Sequence, residues 1–153
     1  MAEVLVASAH NVGESNLHLQ FTPAYRRAVF ASRVLRDVTT SLLIEKAREL
    51  GITIAAIDYG PDHLHLFITN WRRWSIAALA QRLKGSSSRT LRSGYAYLFG
   101  DQLWGAKFWT AGYFYRTVGV VTAETVRRYV QESQRKHWEH ASTTAQQTLI
   151  IYA

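Results

Sequence analysis

The run Pro61-Asp62-His63-Leu64-His65-Leu66-Phe67-Ile68 restricts the fold more than any other part of the chain. Successive side chains of a strand point to opposite faces, so Leu64, Leu66 and Ile68 share one face while His63, His65 and Phe67 share the other. The leucine face reads as core. The two imidazoles lie roughly 6 to 7 Å apart along such a strand. That spacing lets them close on one divalent ion if a third ligand or water completes the shell. The plain alternative is a polar face on a half-buried strand.

Composition bounds what can surround this strand. A chain of 153 residues that is 48% hydrophobic can bury one sizeable core and is short for two ordinary domains. Eighteen Lys and Arg against eleven Asp and Glu give a net charge of +7. That balance favours a polyanionic partner such as nucleic acid over acidic small molecules, with a solvated basic face as the plain alternative. The absence of cysteine excludes disulfides and thiolate metal sites. The first residues lack the basic start and apolar run of an export signal, and no apolar stretch approaches the roughly 20 residues of a membrane span. A cytoplasmic protein without a membrane partner is expected.

Alternation of Leu17, Leu19 and Phe21 with His18, Gln20 and Thr22 predicts a half-buried strand ended by Pro23. From Phe30 to Leu50, apolar residues at Val34, Leu35, Val38, Leu42, Leu43, Ala47 and Leu50 recur at helical spacing, and Gly51 stops the run. Ile52 to Tyr59 reads as a strand, and Gly60-Pro61-Asp62 turns it into the two-histidine strand as a hairpin. The order so far is β-α-β-β. Trp71-Arg72-Arg73-Trp74 interleaves aromatics with cations, which suits either stacking on bases with phosphate contact or snorkelling over a core edge. Ser75 can cap a helix from Ile76 to Leu83. After it, Lys84-Gly85-Ser86-Ser87-Ser88-Arg89 is small, polar and basic, of the kind that holds phosphate oxygens or forms a flexible linker.

Tyr95, Tyr97, Phe99, Trp104, Phe108 and Trp109 mark an irregular aromatic stretch that covers one side of the core, with some rings free to stack on bases. Gly112 to Val118 reads as the last main strand, and Thr122 opens a helix that carries Arg127, Arg128 and Tyr129 into a basic end at Arg135-Lys136-His137. Gln146 to Tyr152 suits a short edge strand. His10, His18, His137 and His140 are given no chemical role.

Taken together, Tyr25-Arg26-Arg27, Pro61-Asp62-His63-Leu64-His65-Leu66, Leu83-Lys84-Gly85-Ser86-Ser87-Ser88-Arg89, Leu103-Trp104, Phe108-Trp109, Gly112-Tyr113-Phe114 and Val126-Arg127-Arg128-Tyr129-Val130 resemble the single-tyrosine HUH transposases of the insertion sequence 200/605 family. The resemblance runs from about Leu17 to His137. It implies one transposase domain over 1–153, with 1–16 and 141–153 peripheral. The implied fold is α+β, a ferredoxin-like or RRM-like antiparallel sheet with packed helices, the HUH endonuclease fold. It also implies a homodimer that cleaves and rejoins single-stranded DNA at hairpin-marked transposon ends.

By the same resemblance Tyr129 matches the nucleophile, and His63 and His65 match the ligands of Mg²⁺ or Mn²⁺. A phenol titrating near pH 10 needs help to attack at neutral pH, which a cation polarising the phosphate supplies. Storing the phosphodiester on tyrosine lets a later 3′-hydroxyl reverse the attack, so no nucleotide cofactor is needed. The family's third ligand, a glutamine one turn after the tyrosine, falls here on Ser133. Glu132, Gln134 or water then remain open for that position, and so does whether Tyr129 serves its own pair or the partner subunit's. Arg26, Arg27, Arg72, Arg73, Lys84, Ser86, Arg89, Arg127 and Arg128 are the expected DNA contacts. Two other functions stay open: a domesticated REP-associated type of tyrosine transposase, and a non-catalytic hairpin-binding domain.

Overall fold

In a computed structural model, the backbone is described at Val6–Ala7, Val12–Gly13, residues 15–118 and Ile150–Ile151, with side chains described over 15–117. Two short strands, β1 (Val6–Ala7) and β2 (Val12–Gly13), pair with each other. The main sheet is built from β3 (Asn16–Phe21), β4 (Thr53–Gly60), β5 (His63–Thr69), β6 (Phe114–Val118) and the two-residue β7 (Ile150–Ile151), in the order β6-β3-β5-β4-β7 with every pair antiparallel. Helix α1 (Arg33–Leu50) joins β3 to β4, and α2 (Ile76–Gly94) joins β5 to β6. Leaving aside β7 and the separate β1–β2 pair, this is a β-α-β-β-α-β chain with the last strand beside the first, the ferredoxin-like topology.

Both helices cover the same face. Leu35, Leu43 and Ala47 of α1 and Leu79, Leu83 and Leu91 of α2 share one core cluster with Leu17, Leu19, Phe21, Leu64, Leu66 and Ile68. Ser32 caps α1 by accepting from the Leu35 N–H at 3.2 Å, and Gly51 ends it in the left-handed region at φ 72°. The expected helix from Phe30 therefore starts later, after a 3₁₀ turn over Val29–Ala31.

The larger departure is α2. It does not stop at Leu83 but runs through Gly85 and the three serines to Gly94. Small residues let the aromatic stretch dock closely against the helix. Ser87 is buried and accepts from the Trp109 indole N–H at 2.9 Å, and Ser88 accepts from the Phe108 backbone N–H at 3.0 Å. Helix packing overrides the weak helix propensity of serine and glycine. The aromatic stretch does cover the core through Phe99, Phe108 and Trp109, while Tyr97 and Trp104 stay exposed. Among the described residues, no helix is long and apolar enough to cross a membrane.

Candidate active site

The second face of the sheet carries the histidines. Register pairs Gly60 with His63, Asp58 with His65 and Ala56 with Phe67 on the β4 side, and Gln20 with His65 and His18 with Phe67 on the β3 side. β6 adds Arg116 opposite His18. Simple alternation along β4 would put Ile54 and Asp58 on one face. A register shift between Ile54 and Ala56 reverses the pattern, so Ile54 and Ile57 both enter the core and Asp58 turns to the imidazole face.

His63 and His65 are each 4% exposed, with ring centroids 4.9 Å apart and planes at 83°. Every residue of the strand is buried, as the run of apolar residues and imidazoles suggests. Each imidazole is held through Nδ1. That of His63 lies 2.8 Å from Asp62 Oδ1, and a carboxylate accepts, so His63 donates. That of His65 lies 2.8 Å from His18 Nε2. Gly60 is a steric requirement, because a Cβ there would overlap the His63 ring. Asp62 also reaches Arg26 Nη2 at 3.7 Å through its second oxygen, which brings one of the expected DNA contacts beside the pair.

Two residues on this face went unassigned in the sequence. His18 is 2% exposed, packs parallel to Phe67 with centroids 5.5 Å apart, and meets Phe114 edge-on. Burial, and then the Arg116 guanidinium, push its pKa down to about 4. Asp58 is fully buried, and neither carboxyl oxygen has a hydrogen-bond partner among the described residues. Burial pushes its pKa up to about 8; the Tyr59 backbone N–H offsets part of this without reaching hydrogen-bond geometry.

The expected DNA contacts divide by environment. Arg27, Arg72 and Arg89 are exposed. Arg73 reaches the Gly51 carbonyl at 3.4 Å, which ties it to the end of α1. Lys84 donates to the carbonyls of Thr110, Ala111 and Gly112 at 2.6, 3.1 and 2.9 Å, anchoring the segment that feeds β6. The Ser86 hydroxyl turns back to the Leu83 carbonyl at 3.4 Å. Tyr129, Glu132, Ser133, Gln134, Arg127, Arg128 and the helix expected after Thr122 lie outside the described residues. Among the described residues, no three His, Asp or Glu side chains converge closely enough to hold a metal ion.

The His-x-His pair thus sits on the face of a ferredoxin-like antiparallel sheet that the two helices do not cover, an α+β arrangement shared with known transposases. A crystal structure described as a transposase from Deinococcus radiodurans superposes with a TM-score of 0.67 at 24% identity, covering 84% of this chain and 98% of that one. A REP-associated tyrosine transposase bound to a REP hairpin superposes at 0.59 and 11% identity, covering 90% of this chain and 75% of that one. In sequence, the profile of the IS200-like transposases matches residues 11–133, and the chain belongs to that family. It is 28% identical over 119 residues to the ISDra2 transposase TnpA of Deinococcus radiodurans, covering 78% of this chain and 84% of the relative. Against the IS200 transposase of Salmonella typhimurium it is 29% identical over 126 residues, covering 80% and 79%.

Proposed function

We propose that this transposase cleaves and rejoins single-stranded DNA at hairpin-marked ends, with Tyr129 as nucleophile and His63 and His65 holding Mg²⁺ or Mn²⁺. The observation that carries the reading is the way the pair is held. A ligating imidazole is oriented by a neighbour as well as by the metal, and each of these two rings has its Nδ1 2.8 Å from a polar neighbour, Asp62 for His63 and His18 for His65. His63 and His65 would hold the divalent ion, with Ser133, Glu132 and Gln134 as the candidates for a third ligand. When bound, the ion polarises the scissile phosphate. Arg26 neutralises phosphate charge beside the pair, and exposed Arg27, Arg72 and Arg89 support backbone binding that weakens with salt. Attack by the Tyr129 oxygen breaks the P–O3′ bond, leaving a 5′-phosphotyrosine and a 3′-hydroxyl. A second 3′-hydroxyl reverses the step. On this reading the protein acts as a homodimer, and Tyr129 serves the histidine pair of its own subunit or that of the partner subunit.

The test is a covalent adduct. Incubated with a hairpin-bearing single strand and Mn²⁺, the protein is expected to form a denaturant-resistant DNA conjugate that Tyr129→Phe abolishes. An undiminished conjugate in that variant would remove the nucleophile; hairpin binding without any conjugate would favour a binding domain, for which Ser133 is the motive.

His18 supplies a second expected outcome. With its imidazole exchanged for the ring of His18→Phe, His65 loses the neighbour that fixes Nδ1, and Mn²⁺ affinity should fall about 10- to 100-fold by calorimetry. Unchanged affinity would mean that this contact does not orient His65.

A further inference from the structure

Tyr25 and Trp104 are 65% and 67% exposed, and their rings are tilted neighbours with centroids 6.3 Å apart and planes at 56°. Both rings line a cleft of about 470 Å³ together with Ala24, Ala106, Lys107 and Ala111. Two neighbouring water-facing rings lining one apolar cleft are unusual in a surface that needs only solubility.

Both ring-bearing segments are fixed. The Arg92 guanidinium donates to the carbonyls of Leu103 at 3.1 Å and Trp104 at 3.4 Å and to that of Lys107, which locks the loop carrying Trp104. The Ala24 N–H donates to the Phe108 carbonyl at 2.8 Å, and Pro23 bridges Trp109, so the segment bearing Tyr25 is tied to the same loop. Tyr25 and Arg26 both adopt left-handed backbone, at φ 60° and 52°, which side chains with a Cβ rarely take. That double twist accompanies an outward-facing Tyr25 ring and an Arg26 that reaches Asp62, the residue that holds His63. The cleft is thus one residue and one ion pair away from the imidazole pair.

We propose that this cleft takes one unpaired nucleobase of the DNA strand, adjoining the phosphate presented at His63 and His65. The inference rests on the reading of the chain as a single-strand DNA enzyme. A base offers the flat π-face that Tyr25 and Trp104 can stack on, and the backbone beside it offers charge to Lys107 and Arg27. Bases in a duplex are stacked on one another and cannot enter.

The experiment compares a labelled oligothymidylate with an abasic strand of the same length, by fluorescence anisotropy on the full chain. Trp104→Ala and Tyr25→Ala should each weaken oligothymidylate binding about tenfold and leave abasic binding unchanged; Trp104→Phe should retain most of the affinity. Equal losses on both strands, or no loss on either, would overturn the inference. If the variants bind oligothymidylate like the parent while the Tyr129 conjugate still forms, the cleft assignment fails alone. If the parent binds neither strand and forms no conjugate, the DNA reading fails and takes the cleft with it.

Discussion

His65→Ala is expected to lose strand cleavage by on the order of a thousandfold or more while keeping most hairpin affinity. His65 sits at the centre of the imidazole face, bonded to His18 on one side and registered opposite Asp58 on the other. Removing it takes one of two nitrogen donors from the proposed cation site and leaves the phosphate unpolarised. In the proposed function, hairpin binding draws instead on exposed cations such as Arg27, Arg72 and Arg89. Cleavage of a labelled hairpin-bearing strand in Mn²⁺, alongside anisotropy and a melting curve, separates the effects. Undiminished cleavage in a folded variant would remove His65 from the site.

Asp58→Asn should stabilise the chelator-treated protein by a few kcal/mol at pH 8, with a smaller gain at lower pH. Burial raises the folded carboxyl from 3.8 to about 8, so between those values the folded state keeps a proton that the unfolded chain has released. Stability is therefore lost as pH rises through that window and levels off above it. His18 acts in the opposite sense. Its folded pKa is lowered from 6.5 to about 4, so its contribution is present above 6.5 and lost as pH falls toward 4. The two slopes oppose each other between about 4 and 6.5, which leaves Asp58 alone from 6.5 to about 8. Urea denaturation in EDTA should show the parent weakening across that upper interval and Asp58→Asn not doing so. Parallel pH profiles would mean that Asp58 is not the strained group.

That cost suggests why the residue matters to the account. A buried carboxyl with no hydrogen-bond partner among the described residues, directly across from a proposed metal ligand, holds its proton below about pH 8 and would gain negative charge only where a nearby cation stabilises it. Such a residue lowers stability in favour of the site.

The histidine strand, its hairpin turn and the leucine face were legible because strand alternation is a local property of the sequence. His18 was not, because its contact with His65 depends on the register of β3 against β5, and a single histidine on a separate strand carries no sign of that register. Asp58 was hidden by the irregularity before Ala56, which reverses the facing that alternation alone assigns. Gly85 and the serines resembled a break; their meaning as a close-packing surface emerges only once Phe108 and Trp109 are laid against them. Lys84 and Ser86 read as phosphate contacts, yet their polar atoms reach backbone carbonyls of the protein.

The most direct test is the identity of the linkage between protein and DNA. After reaction of a hairpin-bearing strand in Mn²⁺, proteolysis and mass spectrometry should find the 5′ phosphate of the cleaved product esterified to the peptide containing Tyr129, with a free 3′-hydroxyl on the other fragment. A strand cut without any peptide attached, or attached through another residue, would contradict the account.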